Sequence, residues 1–418
     1  MGLKACDGAG RYENSKPRYT VIPAEVGRHR ASLPRRTLLA TLQASLAACA
    51  APRLTPPLPP RGTRLVLAPV NVARTRIIRI DVGLRPFRPA GFVVRSETLG
   101  DKTVVHNYGH GGGGVTLSWG TAALALEQPF PPTRHCAVLG CGAVGLATAR
   151  LLQEQGRQVT IYAEHLPPET TSNIAGAQWW PSFVYDEDAL TPLFRAQFVR
   201  AAHLAYHRFQ TLPGAGYGIS WRRNYLVSDT PIAESPSADP AMALDDLCIE
   251  CRTLDDHENP FRGFHVRQFD TMMIEPPIYL PAMMRAMREA GGRIVVRRFN
   301  TRADILRLPE SAVFNCTGLG ARDLFGDFEL VPLKGQLVVL LPQPEVTYNM
   351  VGDGIYAFPR YDGVLLGGTE QRGVWSLTPD QAEVARVLAA QKRVFASLRC
   401  ASELEASGRS QSMTRSAA

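Results

Sequence analysis

Four groups of residues in this 418-residue chain have types and spacings that can do chemistry. The first is Gly140-Cys141-Gly142-Ala143-Val144-Gly145, a GxGxxG turn. It follows the short apolar strand His135–Leu139 and opens a helix over Leu146–Glu154, closed by Gly156. Gly140 permits the tight turn, Gly142 lets a pyrophosphate approach the backbone, and Gly145 lets helix and strand pack closely. The helix N-terminus offers N–H groups and partial positive charge to phosphate. Val159–Tyr162 reads as the next strand, with Glu164 and His165 at its end. An acid there binds ribose hydroxyls and repels a 2′-phosphate, which disfavours NADP. The unit reads as a dinucleotide site and does not by itself separate FAD from NAD.

The second group, Pro167 to Pro181 (PPETTSNIAGAQWWP), favours FAD. Thr170, Thr171 and Ser172 can donate to phosphate, and Gly176-Ala177-Gln178 could let a flat ring system lie against backbone. The third is His110-Gly111-Gly112-Gly113-Gly114, a run only backbone can use, leading through Val115 and Thr116 into a helix. Its N–H groups and helix N-terminus suit a developing anion. The bland alternative, a flexible linker, fits poorly with His106-Asn107-Tyr108 and Trp119 on either side. The fourth is Arg85, held between Gly83 and Pro86. Its planar fork matches a carboxylate with two parallel hydrogen bonds. Alone, such an arginine reads as a structural salt bridge, and Arg88 in the same motif is read that way.

Together these blocks resemble the D-amino-acid oxidase family of FAD-dependent oxidoreductases. GxGxxG, then IYAE, then TTSNIAGAQWWP resemble its amino-terminal part. Val313–Ala321 (VFNCTGLGA, with Thr317 and Gly318) resembles its strand and turn returning to FAD, and Pro332–Gln336 its PxxGQ. Gly354–Pro359, ending in Leu366-Gly367-Gly368, resembles a substrate-domain strand pair. GLRPFRP and HNYGHGGGGVT resemble the segments of the substrate arginine and the flavin-proximal signature. Those two blocks normally close the chain and here precede GxGxxG, an order resembling a circular permutation.

The resemblance implies an α/β fold: a Rossmann-like FAD-binding domain and a second, antiparallel-sheet substrate domain, both discontinuous. The expected boundaries are 1–48 leader, 49–76 Pro-rich tether, 77–103, 196–300 and 332–400 substrate domain, 104–195 and 301–331 FAD domain, and 401–418 disordered tail. It implies that Arg85 and Tyr356 hold a substrate carboxylate, that the Gly112 carbonyl accepts from the substrate amine, and that Thr116 donates to the flavin. The substrate Cα–H would pass as hydride to flavin N5. An imino acid, then a 2-oxo acid and ammonia, would follow, with hydrogen peroxide where oxygen rather than a quinone accepts the electrons. Tyr225 is a candidate lining residue. A permuted chain also requires a helix over Leu117–Glu127, a Pro-rich link over Gln128–Arg134, and a last helix from Thr378 to about Arg399. Thr378 would be that helix's N-cap, and its end would lie near Ile77.

Composition is that of a globular protein, 45% apolar and 20% charged. The net charge of +8 is concentrated at the start, where Met1–Arg36 holds eight basic and three acidic residues. The rest is near neutral, without the basic stripe of a nucleic-acid binder. Arg35-Arg36 precedes the apolar run Thr37–Ala48, and Leu46-Ala47-Ala48-Cys49 resembles a lipoprotein cleavage site. The leader therefore reads as a twin-arginine-type export signal with membrane attachment through lipidated Cys49, the alternative being a cytoplasmic protein. Cys248 and Cys251 form a CxxC without the second half of a metal site. Two rivals remain: an amine dehydrogenase for glycine, sarcosine or an imino acid, and a non-catalytic FAD-binding lipoprotein.

Overall fold

In chain order the strands are β1 (Ile77–Phe87), β2 (Val93–Leu99), β3 (Lys102–Tyr108), β4 (His135–Leu139), β5 (Gln158–Ala163), β6 (Ile219–Ser228), β7 (Ile249–Thr253), β8 (His265–Ile274), β9 (Arg293–Val296), β10 (Ala312–Asn315), β11 (Val331–Leu340), β12 (Asn349–Gly352), β13 (Ile355–Arg360), β14 (Gly363–Gly367) and β15 (Gln371–Arg372). The computed structural model describes residues 66–212, 215–233, 242–400 and 402–403. The leader with Arg35, Arg36 and Cys49, the tether up to residue 65, part of the loop after Ser228 and nearly all of the tail lie outside the described residues. Among the described residues no helix is long and apolar enough to cross a membrane.

Six strands form one sheet in the order β2-β3-β10-β4-β5-β9. All its pairings are parallel except the hairpin of β2 with β3. Cys136–Leu139 are buried without alternation, as in a central parallel strand covered on both faces. The helix α1 (Ser118–Leu126) is buried almost all round and packs against α2 (Ala143–Glu154) and α3 (Pro192–Thr211). A β-carbon at Gly120 would stand 1.8 Å from the Ala201 carbonyl oxygen, so the crossing of α1 and α3 requires a bare backbone there.

The other nine strands form a mainly antiparallel sheet, β1-β11-β14-β13-β12-β6-β8-β7, with β15 on β11. The expected boundaries place β2 and β9 with this sheet. Their hydrogen bonds put both in the parallel sheet, β2 because it folds back on β3 and β9 because it extends the edge at β5. Both sheets lie in one compact unit.

A further helix, α4 (Pro276–Glu289), packs on α2. The last, α5 (Gln381–Ala396), lays Val384, Val387, Leu388, Val394 and Phe395 on β13 and β14. Its N-cap is Asp380 and not the expected Thr378: the Asp380 carboxylate accepts from Ala382 N and Glu383 N at 2.9 and 3.3 Å. Thr378 is held one step earlier, its carbonyl accepting from Lys334 Nζ. The end of α5 does lie close to the segment leading into Ile77. Leu67, Val70 and Val72 share its apolar cluster, and residues 69–73 line a groove with Lys392, Phe395 and Ala396. This corrects the reading of 66–76 as free tether, because three buried apolar side chains anchor it.

His110 is buried beneath the glycine run, its Nε2 2.9 Å from Thr121 Oγ1, and burial lowers its pKa from 6.5 to about 3. An imidazole kept neutral in the fold but protonated below 6.5 when unfolded contributes stability that is full above that value and is lost as pH falls toward 3. The unfolding free energy from urea titrations should therefore fall over that window by up to ~1.4 kcal/mol per pH unit from this group. His110→Gln should show a correspondingly shallower acid slope.

Candidate active site

The parallel sheet delivers three turns to one edge. Asn315 at the end of β10 is the register partner of both His106 in β3 and Leu139 in β4. The turns Tyr108–Gly111, Gly140–Gly142 and Cys316–Gly318 therefore leave the sheet side by side. Since β4 lies between β5 and β10, this is the topological switch point at which open α/β sheets bind ligands. A cavity of about 820 Å³ occupies it.

The GxGxxG turn has the geometry its glycines imply. Gly140 has φ +110°, and a β-carbon on it would stand 2.4 Å from the Cys316 carbonyl oxygen. Ser172 Oγ accepts from Ala143 N at 3.0 Å, which brings the hydroxyl loop to the N-terminus of α2. Gly140, Gly142, Ala143, Val144, Gly145, Thr170, Thr171, Ser172, Gly176, Ala177, Gln178, Thr317 and Gly318 all line the cavity. Fully buried Asn107 lines it too, with no partner for its Oδ1 among the described residues, an acceptor that a hydroxyl-bearing ligand would satisfy. This lining fits FAD.

At the end of β5, Glu164 and His165 also line the cavity. Glu164 is ion-paired to Arg298 at 3.1 Å, so the repulsion expected from it toward a phosphate is offset. Arg297, Arg298 and Phe299 form this part of the wall, Arg297 lying 4.7 Å from the Phe299 ring centre. Sequence reasoning missed them. The usable signal was the apolar run Ile294–Val296, which lies parallel to β5 and ends beside Glu164.

Of the glycine run, Gly111, Gly112 and Gly114 line the cavity, as do Val115 and Thr116. Gly113 does not: it is buried, and a β-carbon there would stand 2.8 Å from a Val184 methyl. Gly112 N donates to the Phe183 carbonyl at 3.0 Å, and Thr116 Oγ1 donates to the Gly113 carbonyl at 3.2 Å.

Arg85 enters from the antiparallel sheet, on β1 opposite Leu333. It is half-buried, and its Nη1 donates to the Thr369 carbonyl at 3.3 Å. Among the described residues no carboxylate pairs with it. Arg88, two positions past Pro86, pairs with both Asp327 and Glu329. Tyr356 lies beside Arg85: burial raises its phenol, against the opposing charge and hydrogen bond of the guanidinium. Its ring stacks on Phe358 at 4.4 Å. Phe183, 48% exposed and in the left-handed region at φ +54°, has its ring centre 5.8 Å from the Arg85 guanidinium carbon. Leu337, Val351, Ile355 and Phe358 add apolar wall. Tyr225 does not line the cavity. Its side chain packs with Phe261 and Tyr348 in the cluster under α5, on the other face of the sheet.

The buried thiols are packing groups, raised by burial to about 11 in Cys136 and about 12 in Cys141 and Cys316. Cys248 and Cys251 are not joined in a disulfide.

A family model described as "DAO: FAD dependent oxidoreductase" matches residues 135–414. The D-aspartate oxidase of Homo sapiens is 32% identical over 266 residues, covering 61% of this chain and 74% of that one. The D-amino-acid oxidase of Streptomyces coelicolor is 30% identical over 258 residues, covering 60% and 74%. Among solved structures, glycine oxidase from Geobacillus kaustophilus aligns at 19% identity and a TM-score of 0.47, covering 63% of this chain and 78% of that one. Arg85 and the glycine run precede the region matched by the family model.

A methyl group on Gly142 would stand 3.0 Å from Ser172 Oγ, at the N-terminus of α2. Gly142→Ala should leave the circular dichroism unchanged and weaken FAD retention tenfold or more, about 1.4 kcal/mol. Flavin absorbance per mole of protein after gel filtration reads this directly.

Proposed function

Because the chain belongs to the DAO family of FAD-dependent oxidoreductases and its cofactor is FAD, we propose that it oxidises the Cα–N bond of a D-amino acid with a neutral side chain. The product is an imino acid, which water converts to a 2-oxo acid and ammonia. One observation carries the reading: a half-buried arginine with no carboxylate partner among the described residues stands beside a tyrosine in the cavity that holds the dinucleotide turn. A buried charge is costly unless paired, so this guanidinium suits a carboxylate that arrives with the substrate.

Arg85 and Tyr356 fix that carboxylate at two points, which limits how Cα can lie. Burial keeps the Tyr356 phenol a neutral donor beyond its ordinary value of 10.0. The Gly112 carbonyl is assigned to the amine. Leu337, Val351 and Phe358 receive the side chain, and Arg297 and Arg298 belong to the Glu164 end. A second substrate carboxylate would therefore lack a basic partner among the described lining residues. Bound FAD supplies the two-electron acceptor that these side chains lack. Oxygen or a quinone then takes the electrons, with hydrogen peroxide formed in the first case. D-specificity is supported by the similarity to proteins named D-aspartate oxidase and D-amino-acid oxidase.

The reading includes the permuted order of the motif blocks. It is supported by the start of the family match at residue 135 and by the packing of residues 69–73 near the end of α5. It also includes export and lipidation at Cys49. Mass spectrometry of the protein from its native host should find an N-terminus at Cys49, and an intact Met1 would remove the export reading.

Anaerobic mixing with D- and L-amino acids, glycine and sarcosine should bleach the flavin with neutral D-amino acids and far less with D-aspartate. Arg85→Ala should lower kcat/KM roughly 10²-fold or more, chiefly through KM, with FAD still bound. Tyr356→Phe should cost about tenfold. A flavin that no member of the panel reduces would overturn the proposed substrate class.

A further inference from the structure

Two strands that run under the substrate-holding groups carry glycine where a side chain would stabilise them better. Glycine inside a strand costs backbone entropy and packs nothing. Neither Gly335 in β11 nor Gly367 in β14 lies in the left-handed region, so any residue could adopt their backbone. What a side chain there would do is displace the end of a neighbouring one. A β-carbon on Gly335 would stand 2.3, 2.4 and 2.5 Å from Nη1, Nη2 and Cζ of Arg85. These three near-equal distances set the glycine beneath the fork of the guanidinium rather than beside one nitrogen. A β-carbon on Gly367 would stand 2.1 Å from Cζ and 2.4 Å from the phenol oxygen of Tyr356, its register partner on β13.

Both close approaches are to the ends of side chains that the cavity uses. They do not serve a tight turn or a helix crossing. Next to Gly335, Gln336 takes both backbone bonds of the Thr369 hydroxyl: its N donates to Thr369 Oγ1 at 2.6 Å, and its carbonyl accepts from it at 3.2 Å. Thr369 in turn gives its carbonyl to Arg85. The seat and the anchor of the guanidinium are therefore joined through one residue.

We propose that Gly335 and Gly367 are positioning residues. They form a side-chain-free floor on which the Arg85 fork and the Tyr356 ring lie flat, and this sets how deep in the cavity the substrate carboxylate is held. The proposal rests on the assignment of Arg85 and Tyr356 to that carboxylate.

The test is a pair of double-mutant cycles on the FAD-loaded full chain. Gly335→Ala should raise KM for a reducing D-amino acid at least tenfold, change kcat less than threefold and leave FAD content unchanged. It should also lower Tm, and adding Arg85→Ala should return Tm to that of Arg85→Ala alone, because the methyl group then has nothing to strike. Gly367→Ala should behave likewise with Tyr356→Ala. Should Gly335→Ala fail to accumulate as folded protein, recovery of folding on adding Arg85→Ala supports the proposal, and continued failure overturns it. An equal loss of Tm with and without Arg85, or an unchanged KM in Gly335→Ala, also overturns it. If instead Arg85→Ala alone leaves KM unchanged while the Tm cycle closes, the glycine is still the seat of Arg85, and the assignment of Arg85 to the substrate is what fails.

Discussion

A guanidinium held half-buried with no carboxylate partner among the described residues is the constraint on which the rest of this cavity depends. Desolvating a charge is unfavourable, and the usual remedy, a neighbouring Asp or Glu, would occupy the guanidinium fork. The chain stabilises Arg85 with weaker contacts that leave the fork uncommitted: the Thr369 carbonyl, the Tyr356 phenol and the Phe183 ring. Arg88 shows the alternative three residues away, where Asp327 and Glu329 tie the same type of side chain into the fold.

That arrangement works only because the antiparallel sheet meets the parallel sheet at its loaded edge. β1 carries Arg85 along β11 and ends at Phe87, which bridges to His110 at the head of the glycine run. Gln178 bridges to Met273 and donates to Asn224, tying the ring-bearing loop to β6 and β8. The turns at the sheet edge and the strand carrying Arg85 are thereby tied together by backbone pairing, with the Gln178 side chain as one further link.

Much of this was legible because the demands were local. Gly140 needs its φ and its empty Cα whatever follows in the chain, so the pattern of strand, glycine turn and helix declares itself. Arg85 stood out only through the resemblance of GLRPFRP, because local constraint by Gly83 and Pro86 alone leaves an arginine reading as a structural salt bridge. What escaped depended on distant partners or on strand parity. Arg297–Phe299 matter only because β9 pairs with β5, more than a hundred residues earlier in the chain. Tyr225 has the right residue type on the wrong face, and a period of two gives the face only once the register is known. Gly113 looks like its neighbours, yet contact with Val184 makes it a packing residue. Thr378 and Asp380 both cap helices well, and the choice between them was made by the hydrogen bonds of Gln336 with Asp380.

The pairing of β1 with β11 has a consequence for biosynthesis. The strand bearing Arg85 is made about 250 residues before its partner. The surface that receives Leu67, Val70 and Val72 is completed only when α5 has been made. Until then an unpaired edge and an unmatched apolar segment are exposed on the nascent chain, the condition under which strands find wrong partners. Contacts of such long sequence separation form slowly. Closure of this molecule therefore waits on the synthesis of β11 and α5, and the Arg85 site is assembled only after both.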